Sequence, residues 1–194
     1  MSRSRLNKAT KPRRVDLSVW HYFVHFSFSF VIFLTPIYNF VGMINIWMGN
    51  YSGRRTFDEL LIDSILFLLA GLLFTFWQYS KLKFKEIKIE HTEHDYQHAL
   101  GKTIADLKWR VDKSRDGYFR AHRVGEGFLP ISYWGEMITI IRENDTILIN
   151  SISDPNQSPT FSSFGSNRKN IRTFIKNLHA ILAQKRGTGT ERVV

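Results

Sequence analysis

Residues 17–53 contain no Lys, Arg, Asp or Glu and are crowded with Phe, Ile, Val, Tyr and Trp. After a short charged break, residues 60–80 repeat the pattern with one carboxylate, Asp63, near the start. A run of about 18 or more apolar residues is long enough to cross a bilayer. The pattern therefore predicts a transmembrane helical hairpin, with spans at about 20–47 and 60–79. Trp20 and Trp47 bracket the first run as interfacial aromatics do. Their separation along a straight helix is about 40 Å at 1.5 Å per residue. A hydrocarbon core is about 30 Å thick, so tilt or a kink is needed, and Pro36 is the natural place for one.

Polar positions within these runs form stripes. At 3.6 residues per turn, His21, His25, Ser29, Thr35 and Asn39 fall on one side of the first helix. Ser64, Gly71, Thr75 and Gln78 make a narrower stripe on the second. Small and polar residues mark helix–helix contacts in lipid. An antiparallel hairpin puts His25 at the depth of Thr75 or Gln78. The stripes pack against each other or against a second copy, as a homo-oligomer. The sharper alternative is that assembled stripes line a polar path.

Behind the hairpin the period changes. Residues 84–90 alternate, with Ile87 and Ile89 on one face, as in a strand. Thr92 and Asp95 have capping-box spacing. Tyr96, Ala99, Leu100, Thr103, Ile104 and Leu107 then mark one buried helical face over 93–107. Two strands are expected at 108–113 and 118–124 around the Asp116-Gly117 turn. A hairpin at 136–143 and 146–153, closed at Asn144-Asp145, places Ile141 opposite Leu148 and Ile140 opposite Ile149. A short edge strand at 161–164 and a last helix over about 167–184 complete the pattern. Sequential hairpins imply a mainly antiparallel sheet with both helices on one face, an α+β domain. The division is a basic segment 1–16, a hairpin 17–80, a domain 84–186 and a disordered tail 187–194.

The chain holds 27 Lys and Arg against 17 Asp and Glu. Arg3, Arg5, Lys8, Lys11, Arg13 and Arg14 precede the first span, and Lys81, Lys83, Lys85 and Lys88 follow the second. The connecting loop has only Arg54 and Arg55, offset by Asp58 and Glu59. The positive-inside rule then makes both termini cytoplasmic. The same flanks suit anionic lipid headgroups, at about 1 kcal/mol per residue near the surface. They account for much of the positive excess, so nucleic acid is not an expected partner. The first apolar run is too long for a signal peptide and reads as a retained anchor. Absence of Cys excludes disulfides and thiolate metal sites.

His94 and His98 have helical ligand spacing but fall opposite the buried face, so a solvated surface is expected there and no metal or other cofactor. The better ligand candidate is Ser163, Gly165, Ser166, Asn167, Arg168 and Lys169. A Ser/Gly turn there leads into a helix N-terminus, where free N–H groups favour an anion. Cations in a first turn oppose the dipole, and a bound anion would relieve them. An ordinary helix capped by Ser166 or Asn167 is the plainer reading. Phe128, Leu129, Tyr133 and Trp134, in a Gly-rich loop over 125–135, form either a hydrophobic plug or a binding lip. No catalytic motif is visible, and no enzyme is expected.

Gly135-Glu136-x-Ile138-Thr139, Asn150-Ser151-x-Ser153-x-Pro155 and Phe164-Gly165-x-Asn167-x-x-Asn170-x-x-x-Phe174 together resemble a pattern in small uncharacterised bacterial domains, often fused to membrane helices. That resemblance implies a bacterial source and a fold unit, and brings no activity. In layout the chain also resembles the STING-like two-helix effectors of bacterial cyclic-oligonucleotide defence, although the helix expected at 93–107 departs from their closed β-barrel. The leading expectation is a non-enzymatic inner-membrane protein whose cytoplasmic domain docks a protein or senses a small anionic ligand. The alternatives are a ligand-gated membrane-disrupting effector that binds a nucleotide, and a membrane-bound enzyme with an unrecognised site.

Overall fold

The structure is a computed structural model that describes residues 14–123, 135–156 and 165–190, with side chains described as far as Arg186. The elements run α1 (Val19–Trp47), α2 (Phe57–Lys81), β1 (Lys85–Lys88), α3 (Glu93–Leu107), β2 (Arg110–Arg115), β3 (Tyr118–Arg123), β4 (Glu136–Glu143), β5 (Thr146–Ser153) and α4 (Ser166–Thr190). They fall into two compact units. Residues Leu17–Lys81 make a helical hairpin, and the chain on either side of it makes an α+β unit.

In the hairpin, Ser18 caps α1 by accepting from the His21 N–H, and the helix continues through Pro36 for 29 residues. Thr56 and Glu59 cap α2 reciprocally: the Thr56 N–H donates to Glu59 Oε2 at 2.8 Å, and the Glu59 N–H donates to Thr56 Oγ1 at 3.3 Å. Asp63, the one carboxylate of the second apolar run, meets Arg55 at 2.6 Å. Both helices are long and apolar enough to cross a membrane.

In the α+β unit the strands lie in the order β1-β5-β4-β3-β2, and every pair is antiparallel. The β4–β5 register pairs Ile140 with Ile149 and Ile141 with Leu148, as the two-residue turn requires. The capping box at Thr92 and Asp95 is formed. Trp109 is not in a strand: Lys108 ends α3 in the left-handed region (φ 52°), and β2 begins at Arg110. α4 runs beyond the predicted end at Gln184 to Thr190, four residues into the expected tail. Lys185 Nζ, 3.1 Å from Asp95 Oδ2, holds that end of the helix to the start of α3. The expected strand at 161–164 and the aromatic loop residues Phe128, Leu129, Tyr133 and Trp134 lie outside the described residues.

The core forms between one sheet face and the two helices. Phe119, Ala121, Ile138, Ile140, Ile147 and Ile149 pack with Tyr96, Leu100, Leu107, Trp109, Phe174 and Leu178. Period-two alternation assigns Met137, Leu148 and Ile152 to the opposite face, and these are buried as well. The segments flanking the hairpin join the unit here. Val15 and Leu82 are buried, the Val15 N–H donates to the Leu82 carbonyl at 2.9 Å, and Asn150 Nδ2 donates to the Lys83 carbonyl at 2.8 Å.

Candidate functional site

α4 starts at Ser166, directly after Gly165, whose φ of +89° suits a residue without a Cβ. One helical turn aims Asn167 and Asn170 at β5. Ser151 Oγ donates to Asn167 Oδ1 at 2.9 Å, and Asn170 Nδ2 donates to Ser151 Oγ at 3.0 Å. Trp109 Nε1 donates to Asn170 Oδ1 at 3.3 Å. Asn170 is fully buried, so these bonds replace the water it loses.

Glu136, at the first position of β4, completes the cluster and is only 3% exposed. Burial pushes its carboxyl above the usual range. The Arg123 charge, hydrogen bonds from Ser166 and Asn170, and the Lys169 charge act in the opposite sense. Arg123 Nη1 lies 4.0 Å from Glu136 Oε2. The chain's own carboxylate thus stands at the basic first turn for which an external anion was expected. Of the expected ligand residues, Ser166 and Asn167 bond to protein groups, Arg168 and Lys169 are exposed, and Ser163 lies outside the described residues.

Glu136, Ser151, Asn167 and Asn170 come from the three stretches that carry the sequence resemblance, and the fold brings them into one network. Sequence reasoning passed over Glu136, Ser151, Asn170 and Trp109 as a set. A signal for Glu136 was present: it shares the parity of Ile138 and Ile140, so period two already points it inward.

A second feature has no counterpart in the sequence reading. A cleft of about 270 Å³ lies between α3 and the β2–β3 hairpin, lined by Tyr96, Gln97, Leu100, Arg115, Tyr118 and Arg142 among others. Arg142 reaches Glu93, and its guanidinium lies 5.4 Å from the Tyr96 ring centroid. Burial pushes the Tyr96 phenol well up, so it is a neutral hydroxyl at physiological pH.

The hairpin stripes meet inside their own unit. Gln78 Nε2 donates to the His25 carbonyl at 2.7 Å, and Ser29 Oγ donates to Gln78 Oε1 at 2.6 Å. Gly71 lets Phe33 approach; a Cβ there would stand 2.7 Å from the ring. Ser64 and Thr75 donate to the carbonyls of Leu60 and Gly71 in their own helix. Asn39 is buried, while His21 and Thr35 are half-buried. The outward positions are apolar: Phe30, Leu34, Ile37, Leu69, Leu73 and Phe76 are all exposed. Polar side chains inside and apolar ones outside reverse the pattern of a water-soluble helix pair. His94 and His98 are exposed on α3.

No family model matches this chain, and no curated protein matches it.

Proposed function

We propose that the protein is a two-helix membrane anchor carrying an α+β domain that acts as a non-enzymatic docking or sensing module at the cytoplasmic face of a bacterial inner membrane. The observation that carries this reading is the reversed packing of the hairpin. Gln78, His25 and Ser29 bond to one another between the helices, and large apolar side chains cover the outside. Lipid favours that distribution and water opposes it.

Two further observations agree. The Val15–Leu82 bond joins the segments on either side of the hairpin, which requires both to be on the same side of a membrane. The basic flanks favour the cytoplasm as that side. The ligand-gated effector draws less support. Its polar stripes are engaged with each other, and its anion site already faces Glu136.

The test is extraction and labelling of the full chain in cells. Since the chain has no Cys, single cysteines report cleanly. The protein should stay in membranes through alkaline carbonate. Ser52→Cys should react with an impermeant maleimide from outside, and His98→Cys only after lysis. Release by carbonate, or labelling of both sites from outside, would reject the reading.

A further inference from the structure

The exposed face of α4 carries one sign of charge. The helix holds Arg168, Lys169, Arg172, Lys176, Lys185 and Arg186 and no Asp or Glu. Arg168, Arg172 and Lys176 stand at i, i+4 and i+8, on one line along the helix, and all three are exposed. None of them forms a salt bridge with a described residue. Like charges at this spacing repel one another and weaken a helix. The opposite face, with Phe174, Leu178 and Ile181, is in the core. The cationic line is therefore not a by-product of packing; those positions were free to hold Glu or Gln.

β5 holds the start of α4 on one face of the sheet and the segment through which the chain returns from the hairpin on the other. Ser151 bonds to Asn167, and its neighbour Asn150 bonds to the Lys83 carbonyl. Lys83 in turn bridges to Arg14, and both are exposed. Arg14 and Lys83 thus belong to the same unit but lie on the sheet face away from α4, so the charge of the α4 face is the helix's own.

We propose that the cationic face of α4, through Arg168, Arg172 and Lys176, engages anionic lipid headgroups. The inference rests on the anchoring reading above. A unit joined to two bilayer-crossing helices without a linker meets headgroups at high effective concentration, and an anionic leaflet attracts basic segments within a Debye length. The exposed face of α4 carries no Phe, Tyr or Trp on which a base could stack, which disfavours single-stranded nucleic acid.

The test uses the full chain in vesicles of phosphatidylcholine, alone or mixed with phosphatidylserine. A fluorophore on His179→Cys, an exposed position of α4, reports quenching by a headgroup-labelled lipid. Quenching should rise with the phosphatidylserine fraction and reverse in high salt. It should fall to the neutral-lipid level when Arg168, Arg172 and Lys176 are all replaced by Ser, and persist when both arginines become Lys. Equal quenching in both lipids, or an unaffected Ser variant, would overturn the inference while leaving the anchor intact. A response to added RNA or acidic protein with none to phosphatidylserine would also overturn it. A chain stripped from the vesicles by alkaline carbonate would overturn the anchoring reading, and this inference with it.

Discussion

Gln78 and His25 are tied together twice across the two long helices: the Gln78 side chain donates to the His25 carbonyl at 2.7 Å, and His25 Nε2 lies 3.2 Å from the Gln78 carbonyl. Gln78 also accepts from Ser29. Gln78→Leu should remove the two bonds made by the Gln78 side chain, leaving Ser29 with no acceptor there and His25 Nε2 still at the backbone carbonyl. Interhelical hydrogen bonds in lipid contribute about 0.6–1.7 kcal/mol, so a loss of about 1–2 kcal/mol is expected. Reversible unfolding of the full chain in mixed micelles measures it, and an unchanged midpoint would mean that apolar packing alone holds the pair.

Gly71 tests that packing from the other side. A Cβ at this position stands 2.7 Å from the Phe33 ring. Alanine ordinarily stabilises a helix interior by about 1 kcal/mol over glycine. Gly71→Ala should nonetheless weaken the hairpin, and Phe33→Ala in the same chain should recover part of the loss. Simple addition of the two costs in that double variant would contradict the contact.

Asn170 is the hub of the α4 cluster. Asn170→Leu would leave Trp109 Nε1 without its acceptor, take from Ser151 Oγ the bond it accepts while leaving the one it donates to Asn167, and withdraw a bond from Glu136. Each buried polar group left unsatisfied costs about 1–3 kcal/mol, so thermal unfolding should show a loss of several kcal/mol. Arg168→Ser, which changes an exposed neighbour, should stay within about 0.5 kcal/mol.

Two carboxylates give opposite dependences on pH. Asp95 is held at about 2, against an ordinary 3.8, first by the Thr92 backbone N–H and then by the Thr92 hydroxyl. The folded state holds its proton less tightly than the unfolded chain, so this contribution is complete above pH 3.8 and is lost as pH falls towards 2. Glu136 is shifted upward from 4.5. There the folded state holds the proton more tightly, so stability declines as pH rises through that window. Melting curves across acid and neutral pH should show Asp95→Asn flattening the acid limb and Glu136→Gln flattening the limb above pH 4.5. A Glu136→Gln profile that overlays the parent would reject the buried charge.

Thr92→Ala weakens the cap and loosens the hold on the Asp95 charge together, because the capping hydroxyl also donates to Asp95 Oδ2 at 2.7 Å. It removes the hydroxyl that accepts from the Asp95 N–H at 3.2 Å. The expected cost is about 0.5–2 kcal/mol, as for other caps of this type, with the core of α3 unchanged by amide exchange.

Local chemistry was legible in the sequence. The Thr92–Asp95 box, the Ile140–Ile149 register and the inward stripe at His25, Ser29 and Gln78 each depend on residues a few positions apart or on one period. What escaped depends on which distant element covers a face. Periodicity marks Lys85–Lys88 as a strand but cannot say that it pairs with β5 rather than with its neighbours in sequence. Trp109 reads as the start of a strand until Asn170 arrives to accept from its indole. The anion-binding expectation at Gly165–Lys169 came from one helix end considered alone, and Glu136 is contributed by a strand some thirty residues earlier. Val15 sits in a basic segment and looks like a flank, yet it is buried against nothing its own neighbourhood could supply.

The Val15–Leu82 bond makes the α+β unit discontinuous along the chain, since the whole of Leu17–Lys81 is inserted between its two partners. At about 5–20 residues per second of synthesis, the first partner waits several seconds for the second. The earliest-made piece of the unit therefore has no partner until Leu82 follows it, and the α+β unit can close only after both long helices have left the ribosome.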